Sequence, residues 1–225
     1  MKRTLVWISF LVFSLAGAAF AGTVNLTFTG PEGNNLGGLY TYPYYFQING
    51  TGQYSLLCDT FTNEISTGDH WQANAFAFQN LNSSNVANLE FGNVNGGGAG
   101  AVEYYMAAAY LFEEQMANPN NGEYNWAVWY LFQPSQVTSS SFWGELTSAQ
   151  QSAIEGYESA AITAVAGDHP SDFAGVVIYT PQQQGTYQEF MGYDTPNPAP
   201  EPSSLLLFGS GILGIAGLLR KRRLS

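Results

Sequence analysis

The sequence predicts a single exported α+β domain, with N-terminal and C-terminal strands around a helical middle, followed by a C-terminal transmembrane helix. Apolar residues alternate with period two near both ends of the central region and recur with helical spacing between them. The 225 residues are 45% hydrophobic and 15% aromatic, which is enough for a packed core. An apolar segment with basic neighbours lies at each end. The predicted division is a signal peptide at 1–21, an ectodomain at 22–194, a Pro-rich linker at 195–204, a transmembrane helix at 205–219 and a basic cytoplasmic tail at 220–225.

The first elements of the ectodomain are predicted to be strands. Residues 23–28 alternate apolar and polar side chains, which predicts a half-buried strand, and residues 30–38 are rich in Gly and Asn, which predicts a turn or loop. Residues 40–48 are aromatic and strand-like. The Asn49-Gly50 pair that follows is a hairpin signal leading into a strand at 53–58.

Helices are predicted next. Residues 101–116 place apolar side chains on one helical face, among them Tyr105, Phe112 and Met116. Residues 123–132 fit either a helix or a buried strand, and we favour the helix. Thr147 and Gln150 form a capping box that opens a further helix, which ends at Gly167. Apolar strands at 173–179 and 186–193 complete the domain.

The charge distribution excludes several functions. No Lys or Arg occurs between Thr4 and Leu219, whereas all 17 acidic residues lie in that stretch, so the formal net charge of −11 understates how acidic the middle is. Phosphate contacts need Lys or Arg, so we expect no nucleic-acid partner. A lysine Schiff base and an arginine phosphate clamp are excluded for the same reason.

The N-terminus has the three parts of a secretory signal. A basic Met-Lys-Arg start precedes an apolar run at 5–16, and Ala19-Phe20-Ala21 is a small-x-small cleavage site. Cleavage is predicted before Gly22.

The C-terminus combines a rigid proline-rich linker, a short apolar run and a basic cluster. The fifteen uncharged residues at 205–219 form a helix of about 22 Å, short of the ~30 Å hydrocarbon core. Basic residues stay on the cytoplasmic side, which predicts an N-outside, C-inside topology. The residues that define this tail are Pro200, Glu201, Pro202, Arg220, Lys221, Arg222 and Arg223.

This tail resembles the PEP-CTERM sorting signal over about the last 27 residues. The resemblance implies that an exosortase of a Gram-negative bacterium, typically one that makes extracellular polysaccharide, recognises and processes it. The inner membrane would hold the chain transiently through the C-terminal helix. The processed protein would then reside at the cell surface or outside the cell, where extracellular polysaccharide is a further partner.

Cys58 is the only cysteine, so no disulfide can form within the chain. A buried thiol at the end of a strand is the favoured interpretation, and interchain pairing or a reactive thiol are the alternatives. The order of Cys58 and Ala127-Val128-Trp129 resembles bacterial surface thioester (TQXA) domains, where a Cys joins a Gln two residues before the Ala. That position here is Asn125, one methylene shorter. We therefore expect a similar fold that lacks the thioester, with Cys58 an unpaired thiol packed near residues 126–129.

Other chemistry lacks a convincing motif. Two histidines beside acids suggest surface residues rather than a metal centre, and the loop at 118–123 lacks the aspartates of a calcium loop. No pair of carboxylates is selected for glycoside hydrolysis. The candidate metal ligands are His70, His169, Asp59, Asp69, Asp168 and Asp172, and the candidate carboxylates for hydrolysis are Asp59, Glu64, Glu103 and Glu123. We expect no metal and no cofactor.

The predicted function is a structural or adhesive protein of the cell surface or matrix, and not an enzyme. A carbohydrate-binding surface module and a thioester-type covalent adhesin are the alternatives. Some aromatic rings would form the sugar platform of such a module, although most are expected in the core. The candidate tryptophans are Trp71, Trp126, Trp129 and Trp143.

Overall fold

The computed structural model describes residues 21–193. Ala19, the Pro-rich linker, the predicted transmembrane helix and the basic tail lie outside the described residues. Contacts divide the chain into two units, Met1–Gly192 and Tyr193–Ser225, and of the second only Tyr193 is described. Within the range 21–193, no helix combines the length and hydropathy of a membrane span.

The domain mixes eight strands and five α-helices within the described range. The strands are β1 (Ala21–Pro31), β2 (Asn35–Leu36), β3 (Leu39–Tyr40), β4 (Tyr44–Ile48), β5 (Thr51–Cys58), β6 (His70–Ala77), β7 (Val176–Pro181) and β8 (Phe190–Tyr193). The helices are α1 (Ala99–Ala117), α2 (Glu123–Phe132), α3 (Pro134–Ser139), α4 (Ser141–Gly144) and α5 (Ser148–Ala164). Short 3₁₀ helices lie at Phe78–Asn80, Val86–Asn88, Val94–Gly96 and Pro170–Phe173.

Six strands close into a barrel in the order β1-β4-β5-β8-β7-β6. Aromatic rings fill its interior, as expected for a small barrel whose alternate residues point inward. The ring of Phe46 lies 5.2 Å from Phe28, 5.7 Å from Trp71 and 4.7 Å from Phe190, measured between centroids. Around Phe46, the interior of the barrel is therefore a packed core rather than a ligand cavity.

The predicted hairpin between β4 and β5 is confirmed. Asn49 and Gly50 have φ values of 54° and 72°, and this left-handed pair matches the right-handed twist of the two strands.

The helical middle is also confirmed. Helix α2 covers the predicted residues, and α1, α2 and α5 pack against one another. The capping box of Thr147 and Gln150 opens α5, and Gly167 follows its end with φ +97°. Met116 differs from the prediction because it is 37% exposed at the end of α1 rather than buried with Tyr105.

Strand β6 is the longest element that the sequence did not predict. The short helices α3 and α4 were not predicted either, and β2 lies within residues 30–38, where a turn or loop was expected. Strand β6 pairs with β1 on one side and β7 on the other, so it is needed to close the barrel. Its inward positions include small Ala73 and Ala75, which give a weak apolar alternation. The final strands are shorter than predicted, because Pro170–Phe173 forms a 3₁₀ helix and β8 begins only at Phe190.

Candidate functional site

Two predicted site residues meet where β5 ends against α2. Cys58 is fully buried and unpaired, and its thiol donates to the Thr60 carbonyl oxygen at 3.1 Å. Burial raises the pKa of this thiol above its usual range, the neighbouring Asp59 raises it further, and the Thr60 contact opposes both. The thiol is therefore protonated and shielded in the folded domain.

Asn125 contacts the backbone of Cys58. Its Nδ2 donates to the Cys58 carbonyl oxygen at 2.8 Å, and its Oδ1 accepts from the Tyr42 backbone N–H at 2.9 Å. Asn125 is fully buried, so one side chain connects α2 to β5 and to the segment before β4. The two residues that the thioester resemblance pairs are thus neighbours, and the amide is engaged with two main-chain groups.

Tryptophans position this junction. Trp126 is fully buried and donates from Nε1 to the Leu36 carbonyl oxygen at 3.1 Å, and Trp129 is 2% exposed. The ring of Phe61 lies 5.8 Å from Trp126 and 5.6 Å from Trp129. Both tryptophans are core residues, as predicted, and they hold α2 against the chain that follows β5.

A cluster of buried carboxyl groups includes Asp59, the residue after Cys58. Asp59 and Glu189 are both fully buried, and their backbones are joined by the Asp59 N–H donating to the Glu189 oxygen at 3.2 Å. The Glu189 carboxylate accepts from the Tyr105 hydroxyl at 2.6 Å, from the Glu90 N–H at 3.0 Å and from the Thr180 hydroxyl. Hydrogen-bond donors thus converge on Glu189 from α1, β7 and the loop before α1.

The pKa values of the two carboxyl groups are shifted to different extents. Burial raises the pKa of Asp59 well above its ordinary value, and the Glu189 charge raises it further. Burial also raises the pKa of Glu189, but the hydrogen bonds from Thr180 and Tyr105 oppose that shift. Burial therefore favours the protonated form more strongly at Asp59 than at Glu189, because the donors stabilise an anion at Glu189. The sequence did not predict that Glu189 and Tyr105 belong to a polar cluster with Asp59. No local signal connects them, because they lie far from Asp59 in the chain.

The remaining candidates do not come together as a centre. His70 begins β6, and the His169 backbone N–H donates to Asp172 Oδ2 at 2.8 Å at the start of a 3₁₀ helix. Among residues 21–193, no group of three or more His, Cys, Asp or Glu side chains is placed to hold a metal ion. Asp59 contacts the Glu189 cluster, a partner that was not among the carboxylates weighed from the sequence.

Two concave surfaces of the described residues are candidates for ligand binding. One, of about 230 Å³, lies between the β2–β3 hairpin and the loop before α2, and its lining includes Asn35, Thr41 and Asn121. The other, which we call the Trp71 groove, measures about 270 Å³. The Trp71 groove is lined by His70, Trp71, Gln72, Gln182, Gln183 and Tyr187.

The C-terminal tail supplies the decisive comparison with known proteins. Residues 198–223 match the PEP-CTERM protein-sorting motif. The match spans every tail residue singled out above, from Pro200 to Arg223, and confirms that prediction. The PEP-CTERM motif marks an exported protein that is sorted by an exosortase. No curated protein and no solved structure matches the chain.

Proposed function

We propose that the mature domain is a structural or adhesive protein of the cell surface or extracellular matrix, delivered there by exosortase processing. The observation that carries this proposal is the PEP-CTERM motif at residues 198–223. Before processing, the apolar run at 205–219 anchors the chain in the inner membrane with its basic end in the cytoplasm. Processing removes the basic tail and releases the ectodomain to its final location.

The composition of the ectodomain supports an extracellular role. Solubility rests on amides and hydroxyls, since the chain has 30 Asn and Gln residues and no Lys or Arg between residues 4 and 219. Uncharged hydrogen-bonding groups keep their interactions over a wide range of ionic strength, whereas exposed ion pairs are screened. Such a surface suits a hydrated matrix.

The test compares processing in the native host with and without its exosortase. Exported protein is expected to begin near Gly22 and to lack residues 220–225, as read by intact-mass spectrometry. In an exosortase deletion strain, the full C-terminus is expected in the inner-membrane fraction. Glu201→Ala, inside the matched motif, is expected to block processing, and Pro196→Ala, just outside it, is the matched control. Soluble exported protein that keeps residues 220–225 would overturn the proposal.

A covalent thioester adhesin is the second candidate, because the fold places Asn125 beside Cys58. The reaction would join the Cys58 sulfur to the Asn125 side-chain carbonyl carbon and release ammonia. The Asn125 amide is hydrogen-bonded to main-chain groups of Tyr42 and Cys58 and not to the thiol, which supports a non-covalent arrangement of the two neighbours. Mass spectrometry separates the two arrangements, because a thioester lowers the intact mass by one ammonia.

A further inference from the structure

The geometry points to the Trp71 groove as a binding site for an uncharged polysaccharide segment. This proposal deepens the proposed function and rests on it in one respect only: delivery to the surface brings the groove into contact with glycans.

The aromatic part of the Trp71 groove is rigid. The rings of Trp71 and Tyr187 are parallel, with a centroid distance of 4.7 Å and an interplanar angle of 4°. Trp71 is only 7% exposed and meets Phe46 edge-on inside the barrel, so the barrel core fixes the indole, and the indole in turn orients Tyr187. A flat aromatic ring at a surface suits the C–H face of a sugar ring, and one fixed in advance loses little entropy on binding.

The polar part is also partly ordered before binding. The Gln182 backbone N–H donates to the Gln72 carbonyl oxygen at 3.0 Å, and Gln182 Nε2 donates to Thr23 Oγ1 at 3.1 Å. The side chains of Gln72 and Gln183 are exposed at the groove. A carboxamide both donates and accepts hydrogen bonds, as a sugar hydroxyl does, so three amides around an aromatic face match a polyhydroxylated ligand.

Charge and size restrict the ligand. The lining has no Asp, Glu, Lys or Arg, and the ectodomain as a whole is acidic. An anionic polysaccharide would find no Lys or Arg to pair with, only His70, and a repulsive field around it. The volume of about 270 Å³ is near the lower end of small-molecule pockets, and a protein partner would need roughly 1,000 Å² or more of interface. A short neutral stretch of a glycan fits both limits.

The test uses the exported protein purified from the native host. Affinity electrophoresis in gels containing dextran, galactomannan or mixed-linkage β-glucan measures neutral binding, and alginate serves as the acidic comparison. We expect retardation by at least one neutral polysaccharide and none by alginate. Tyr187→Ala is expected to weaken binding more than tenfold and Gln183→Ala about three- to tenfold, the size of a lost neutral hydrogen bond.

Two variants control for folding and for general aromatic effects. Tyr187→Phe keeps the ring and is expected to bind like the wild type, and Tyr40→Ala removes a tyrosine that is 53% exposed elsewhere. Thermal melts verify that each variant is folded. Failure to bind any of the neutral polysaccharides, preference for alginate, or equal binding by Tyr187→Ala and Tyr40→Ala would overturn the groove assignment.

The outcome is separable from that of the proposed function. If the exosortase processes the protein normally but the protein binds no glycan, only the groove assignment is overturned. If the protein binds a glycan but no exosortase processes it, only the proposed function is overturned.

Discussion

Two buried polar clusters begin at neighbouring residues, and they are built from opposite chemistry. The first, which we call the amide junction, comprises the Asn125 side chain with the backbones of Cys58 and Tyr42. It is neutral, and both polar atoms of the amide have partners. The second, the carboxyl cluster, comprises Asp59 and Glu189 with the donors around Glu189, and it contains two acids.

The difference shows how a domain without Lys or Arg stabilises polar and acidic side chains in its interior. An amide needs only main-chain partners, so its contribution to stability does not depend on pH. Two buried acids ordinarily need a cation, and the residues from 4 to 219 offer none apart from His. The raised pKa of Asp59 and the hydrogen bonds to Glu189 take the place of that cation. The first cluster is therefore insensitive to pH and the second is not.

The largest effect is expected from Asn125→Ala, which empties the amide junction. The Tyr42 N–H and the Cys58 carbonyl would both be left buried without partners, at about 1–3 kcal/mol each. We expect the free energy of unfolding to fall by about 2–5 kcal/mol at every pH between 5 and 7, measured by urea denaturation.

Asn120→Ala is the matched control, because Asn120 is exposed in the loop before the same helix. Its loss is expected within about 0.5 kcal/mol. A loss below 1 kcal/mol for Asn125→Ala would show that the junction is not a main connection between α2 and the barrel.

An intermediate effect is expected from pH acting on the carboxyl cluster. The pKa of Asp59 is raised on folding, whereas an unfolded Asp titrates near 3.9, so between these values the native state binds more protons. Stability then falls as pH rises through this window and increases as pH is lowered from 7 towards 5. Within residues 21–193, every acid with a resolved shift moves the same way; these are Asp59, Glu90, Glu113, Glu123, Glu158 and Glu189.

Thermal melts at low salt measure this dependence, with an expected gain of roughly 1–3 kcal/mol on going from pH 7 to pH 5. Asp59→Asn keeps a neutral group of similar shape and should flatten much of the dependence. The titratable groups that face Asp59 are Glu189, Glu90, Tyr105 and Cys58, so these remain in the variant. A melting temperature that declines steadily from pH 7 to pH 5 in the wild type would contradict the prediction.

The smallest change is expected at Cys58, where we predict no covalent modification. The intact mass of the exported protein should equal that of a free thiol and a free Asn125 amide, with and without methylamine. Iodoacetamide should label Cys58 only after unfolding, because the thiol is buried and protonated. An intact mass lower by one ammonia, with an adduct formed on adding methylamine, would show a thioester in place of the amide junction and contradict the prediction.

Local signals in the sequence were sufficient for part of the fold. The Asn49-Gly50 turn and the Thr147 capping box depend on residues within a few positions of one another, and both were predicted. Strand β6 was not predicted, because its small alanines carry little apolar signal and its partners β1 and β7 lie about 50 and 100 residues away. That Cys58 packs near residues 126–129 was expected only through a family resemblance, and its contact with Asn125 was left open.

The sequence by itself determined that this protein is exported and sorted by an exosortase, and that no Lys or Arg lies between residues 4 and 219. A sorting tail is read as a linear segment, and net charge is a sum over residues, so neither requires a fold. The tertiary structure alone decided that Glu189 would sit beside Asp59, and that Tyr187 would stack on Trp71 at the edge of a groove. Both pairs depend on barrel closure, which brings residues more than 100 positions apart into contact through long-range strand pairing that no local periodicity encodes.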